Sequence, residues 1–243
     1  MPFDARPLTA AQRERIITID PENPPSFVGV IADERELWKY SMPPEGVSSL
    51  IFNPNWSRPQ LFGRGDVPPI SANHYNRYPF PRDANFGQRF AAACSALCSP
   101  TGSDDDARAL LHDTLRLANN IQRHNPEKVD RITPTLYIEN HGKPGKIHAD
   151  AASIAFVATE HENVLLVHPH IFRAKKPELN GDRSVSRAME LDIPFYVAPR
   201  GWVTIMFGLR RGEQRTPHAA YEMPANATCA RPALRLYLHE HKK

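Results

Sequence analysis

No run of about 18 apolar residues occurs in the chain, so no membrane-spanning helix is expected. The opening stretch MPFDARPLTAAQRERI lacks the apolar core of a secretory signal and carries charges where one would lie, which points to a cytoplasmic protein. Charge of one sign is scarce too. Thirty Lys and Arg face 27 Asp and Glu, a net of +3, well short of the basic excess of a nucleic-acid-binding surface. Cysteine is sparse and odd in number. Cys94 and Cys98 lie one helical turn apart, Cys229 is distant, and no second Cys/His pair stands at zinc-finger spacing, so they read as small core residues. Neither an internal repeat nor a low-complexity tail is present.

What remains is a chain of 243 residues, 41% hydrophobic, long enough to bury a large apolar core without staples. It reads as one domain, 1–243, in two unlike parts. Residues 1–128 are proline-rich and broken, a region of helices and loops. A short helix with Thr9 as its cap is expected in LTAAQRERIITI, a strand in SFVGVIA and a helix in DERELWKYS. Residues 53–83 read as a long loop of Pro, Gly, Asn and aromatics. Helices are expected over 84–98, where Phe86, Phe90, Ala93, Cys94 and Leu97 share a face, and over 104–124. The second opens on three aspartates that suit the helix dipole, and its apolar stripe runs from Leu110 to Ile121. From residue 129 the pattern turns to short β-like runs, NVLLVHPHIF and AMELDIPFYVAP among them, separated by turn signals such as HGKPG, NGDRS and APRG, which suggests a sandwich or barrel rather than βαβ units.

The chemistry concentrates at KIHADAAS. On a strand, alternate side chains share a face, so His148 and Asp150 would present an imidazole and a carboxylate side by side. Two such ligands with a second histidine form the 2-His-1-carboxylate set that binds Fe(II) on one face and leaves positions open. His218, in RTPHAAYEMP, is 68 residues past Asp150 and follows an apolar strand and a polar loop, as a ligand from a distant strand would. Thirteen residues further, Arg231 opens the last β-like run. A guanidinium there can hold a carboxylate through two parallel hydrogen bonds.

The order Tyr137, Gly145, His148-x-Asp150, the Gly201–Trp202 strand, His218 and Arg231 resembles the Fe(II)/2-oxoglutarate-dependent dioxygenases. By residue type it is similar to their prolyl-hydroxylase and alkylated-base-demethylase branches, and the likeness covers residues 130–243. The resemblance implies a mainly β fold: a double-stranded β-helix (jelly roll) over 129–243, buttressed by the helices of the first half. It implies Fe(II) held by His148, Asp150 and His218, and 2-oxoglutarate anchored by Arg231 with a hydroxyl contact from Tyr137. O2 would be the co-substrate, with succinate and CO2 as co-products. The family's spacing from distal histidine to arginine is often shorter than in this chain, so the assignment to Arg231 is open, and Arg235, four residues on and on the same face of a regular strand, is a rival anchor. Ser153 would line the pocket.

The substrate is less legible. The 53–83 stretch and the 173–187 segment RAKKPELNGDRSVSR read as lids whose Arg and Lys would hold a carboxylate. A small acid, such as an amino acid or a natural-product intermediate, is the expected substrate, modified by hydroxylation, desaturation or ring closure. A peptidyl or protein hydroxylase is the runner-up. A demethylase acting on a flipped base would draw on Arg210, Arg211 and Arg215, and a metal-dependent isomerase or hydrolase would need no oxoacid. His168 and His170, in HPH, read as core or pocket-rim residues with Pro169 between them as a strand end or edge, and His74, His141, His239 and His241 as surface or loop residues.

Overall fold

The computed structural model describes residues 8–36, 45–57, 76–79, 104–124, 129–139, 145–158, 164–179, 181–220 and 231–240. Two sheets, of seven and four strands, dominate it. The expected first helix is present as α1 (Ala10–Glu14), closed by a capping box in which the Gln12 N–H donates to Thr9 Oγ1 and the Thr9 N–H to Gln12 Oε1. It is shorter than the pattern suggested. Ile16–Thr18 leave it as strand β1, drawn into parallel pairing with Phe195–Val197 (β8). The expected strand near Val28 is β2 (Val28–Val30), and Ser49–Phe52 form β3, buried throughout. A short strand, β4 (Asn76–Pro79), lies inside the stretch read as a long loop, so that loop is interrupted by sheet pairing. The helix expected in DERELWKYS is absent over its described part: Ala32–Glu36 are bends and turns held by the Asp33 carboxylate, which accepts from the Arg35 backbone N–H and guanidinium. The 84–98 helix and all three cysteines lie outside the described residues.

Helix α2 (Asp104–Arg123) matches its expected span and packs on β5 (Val129–Glu139), with Leu117, Ala118 and Ile121 buried. Its polar side is tied down as well. Arg116 donates to buried Glu34 at 2.6 Å, Asn120 adds a second donor to the same oxygen, and the Asp113 carboxylate accepts from Ser57.

The second half alternates between sheets. Ser153–Ala158 (β6) joins the large sheet, Leu165–Val167 (β7) and β8 the small one, and Val203–Met206 (β9) returns to the large sheet. His218–Ala219 (β10) then completes the small sheet and Arg231–Glu240 (β11) the large. The large sheet runs β2-β3-β9-β6-β11-β5-β4 and the small one β1-β8-β7-β10, a β-rich, jelly-roll-like arrangement. Between them sits a core that includes Phe27, Ile51, Phe156, Leu166 and Met206. A second core is built on Leu165, Val167, Phe172, Val185, Met189 and Phe195, joining the small sheet to helices α3 (Pro169–Lys175) and α4 (Val185–Glu190).

Those two helices correct two expectations. HPHIF was expected to continue a strand, but Pro169 takes the first helical position, where its missing N–H costs nothing, and the His168 side chain caps the turn. AMEL was likewise expected as strand and closes α4. The 173–187 segment is therefore not a loop-like lid. It holds the end of α3, a 3-10 turn over Lys176–Leu179 and the start of α4, with Leu179 and Val185 in the core.

Candidate metal centre

His148 and Asp150 do not lie in a regular strand. Lys146 and His148 make isolated bridges, to Ser184 and His218, before the chain bends at Ala151 and Ala152 into β6. The shared face expected of an i, i+2 pair survives, because the His148 bridge keeps the backbone locally extended. In that bridge the His148 N–H donates to the His218 carbonyl at 2.9 Å and the His218 N–H to the His148 carbonyl at 2.8 Å. Two histidines 70 residues apart in sequence are thus locked opposite each other, their ring centroids 4.5 Å apart.

Both rings are oriented by their own backbone. His148 Nδ1–H donates to the Lys146 carbonyl at 2.6 Å, and His218 Nδ1–H to the Thr216 carbonyl at 3.0 Å. Each bond fixes the tautomer and turns Nε2 toward Asp150, which is how metal-ligating histidines are commonly held. His148 Nε2 lies 3.6 Å from one Asp150 carboxylate oxygen and His218 Nε2 lies 3.2 Å from the other. One potential ligand atom from each of the three residues falls within 4.8 Å of the others, so the structure brings together the three predicted ligands. Two imidazole nitrogens and one carboxylate suit a divalent ion that accepts mixed nitrogen and oxygen donors and keeps open positions. The His218 side chain is 5% exposed, Asp150 25% and His148 50%, so the centre opens on the His148 side.

The electrostatics favour an anionic carboxylate. Burial pushes the Asp150 proton affinity up, but the two imidazoles facing its oxygens, which donate and carry charge when protonated, outweigh it and hold the carboxyl well below its usual range. His148 is pushed above its ordinary 6.5, chiefly by its bond to Asp150; burial and the Arg235 charge pull the other way. Below that raised value a proton occupies the Nε2 lone pair that a metal needs. Metal affinity is therefore expected to fall as pH drops through a midpoint above about 6.5, by up to about tenfold per pH unit for one competing proton. Mn(II) titrations from pH 5.5 to 8.5 check this, and a pH-independent affinity would contradict it.

The predicted oxoacid residues are placed less completely. Arg235 is partly buried on β11, opposite Phe156, with its guanidinium carbon 5.1 Å from the Phe156 ring centroid, a cation–π distance. Arg231 pairs with Glu139 and Tyr137 with Ala233 in the β11–β5 ladder, and their side chains lie outside the described residues. Ser153 does not line an open pocket; it is 4% exposed and its Oγ accepts the Gly208 N–H at 3.2 Å. His168 packs its ring on Phe27 at 5.0 Å and caps α3, and burial lowers its proton affinity. His170 is exposed beside a cleft with Ser48 and Arg173.

Three of the lid residues expected to hold a substrate carboxylate are engaged elsewhere. Arg173 donates to the Glu213 carbonyl, Lys175 to the Leu191 carbonyl, and Arg187 to Glu190. Sequence reading missed the backbone acceptors of the two histidines and the role of Thr216. No side-chain pattern announces a carbonyl acceptor, although a polar residue two before a ligating histidine is a weak sign.

No helix among the described residues is long and apolar enough to cross a membrane. No protein-family model matches the chain, and no curated protein matches it. Among solved structures it is similar to a Pseudomonas putida prolyl-4-hydroxylase, with 12% identity and a TM-score of 0.33 over 70% of this chain and 95% of that one. It is also similar to the non-heme alpha-ketoglutarate-dependent epimerase SnoN from nogalamycin biosynthesis, with 19% identity and a TM-score of 0.32 over 68% of this chain and 78% of that one.

Proposed function

We propose that the chain is an Fe(II)- and 2-oxoglutarate-dependent oxygenase that oxidises an unactivated C–H bond of a small molecule. The observation that carries the reading is the His148–Asp150–His218 cluster, whose nitrogens are aimed by backbone carbonyls and whose carboxylate is held anionic. The passage of the chain back and forth between two sheets, from β6 to β7–β8, β9, β10 and β11, supports a double-stranded β-helix as its scaffold. In this reading the three residues hold iron on one face, and bound iron with the oxoacid supplies the oxidising chemistry that releases succinate and CO2.

Arg235 is the proposed anchor for the distal carboxylate of 2-oxoglutarate. It is partly buried, on β11 beside Phe156 of β6, the strand that follows the bend after Asp150. An oxoacid enzyme needs a cation there, whereas a hydrolase or isomerase built on the same three ligands does not. The chain's other tasks are to position the substrate C–H and to keep bulk water from the Arg235 side, while substrate enters past half-exposed His148.

The test is anaerobic. Fe(II) followed by 2-oxoglutarate should produce a saturable visible charge-transfer band, absent in His148→Ala. Coupled succinate formation would then be screened against amino acids and other small acids. A folded, iron-loaded protein with no band would overturn the oxoacid reading in favour of a metal-only hydrolase or isomerase.

A further inference from the structure

Asp150 lies outside the β-ladders, at the entrance to a bend, yet its carboxylate must meet two histidines whose positions are already fixed by a backbone bridge. What holds it there is a three-residue segment after β9. The Leu209 N–H donates to the Asp150 carbonyl at 2.8 Å, and the Gly208 N–H to Ser153 Oγ at 3.2 Å. On the other side, the Phe207 N–H donates to Thr216 Oγ1 at 2.8 Å and its carbonyl accepts the Thr216 N–H at 3.0 Å. Thr216 is fully buried, its hydroxyl donates to the Ser48 carbonyl, and its own carbonyl orients His218.

Gly208 is central to this contact for reasons of space alone. Its backbone, φ −77° and ψ 175°, is one that any residue adopts. A Cβ there would lie 2.4 Å from the Ala152 carbonyl carbon, 2.7 Å from its oxygen and 2.8 Å from the Ser153 nitrogen. Those are backbone atoms, unable to swing aside, and they belong to the turn that carries Asp150.

We propose that Phe207–Gly208–Leu209 is a bracket that sets the distance between the Asp150 carboxylate and His218, with Gly208 and Thr216 as its positioning residues. The proposal rests on the metal-centre reading above. The bracket fixes the member of the triad that strand pairing leaves unheld: His148 and His218 are joined by a backbone bridge, whereas the Asp150 backbone is tied to the His218 side by residues 207–209 and Thr216 along the bonds just described.

The experiment is Mn(II) titration of the full chain, following the EPR signal of the free ion, with folding of each apoprotein checked by circular dichroism. Gly208→Ala should bind Mn(II) about tenfold or more weakly than wild type. Ile17→Ala, which removes an exposed side chain on β1 away from the bracket, should stay within about twofold. Thr216→Val should lose about fivefold or more and Thr216→Ser should recover it. Wild-type affinity in Gly208→Ala overturns the bracket. Should Gly208→Ala fail to fold, the Thr216 pair decides, and equal affinities of its two variants overturn it. Wild-type protein that binds no Mn(II) overturns the metal-centre reading itself, and the bracket with it.

Discussion

Asp150→Ala is expected to lower Fe(II) affinity by more than about 100-fold, the upper range for removing even a residue that only supports a ligand. Asp150 is the sole carboxylate in the triad, and both Nε2 atoms converge on its two oxygens. Removing it leaves two neutral nitrogens facing each other without the anion that offsets the metal's charge. Asp150→Asn separates charge from shape: it fills the same space but supplies a neutral oxygen, and should fall between alanine and wild type. Anaerobic Fe(II) titration measures both. Retention of affinity within threefold in Asp150→Ala would mean that the ion, if bound, is held elsewhere.

The second large effect is on the oxoacid. Arg235→Met keeps much of the stem that lies against Phe156 but deletes the guanidinium. Charge-assisted hydrogen bonds of this kind contribute about 1.5–3 kcal/mol, so the 2-oxoglutarate concentration needed for half-saturation of the charge-transfer band should rise about 10- to 150-fold. Fe(II) affinity should change little, because Arg235 is not among the clustered ligands. Arg235→Lys should restore only part of the loss, since an ammonium cannot make the paired, planar contact. The same titration on Arg231→Met supplies the comparison. If Arg231→Met shifts the requirement and Arg235→Met does not, the carboxylate end of the oxoacid lies four residues nearer the start of β11.

The site was more legible in the sequence than the scaffold. His148 and Asp150 stood out because i, i+2 spacing in an extended segment leaves few other geometries, and His218 because it follows a core strand and a polar turn. Scaffold errors have two causes. Ile16–Thr18 continue an apolar helical pattern, and only pairing with β8 pulls them into a sheet. Pro169 reads as a strand-ending residue until it is seen to begin a helix capped by His168. In RAKKPELNGDRSVSR the surface charges hid two buried anchors, Leu179 and Val185, that place the segment against the small sheet. Partners distant in sequence decided the first and last of these outcomes, and local pattern carries no record of them; a cap from the adjacent residue decided the second.

The place of β11 has a consequence for how the chain is made. This strand lies between β5 and β6, whose partner residues precede it by about 75 to 111 positions. Until residues 231–240 have been synthesised and have inserted, β5 and β6 each show an unpaired edge, and the row that carries Arg235 is missing. A nascent or truncated chain can therefore bring His148, Asp150 and His218 together only in an open sheet prone to pairing with its neighbours. Non-local closure of this kind is slow. It makes the final strand the step that joins solubility during synthesis to completion of the proposed oxoacid pocket.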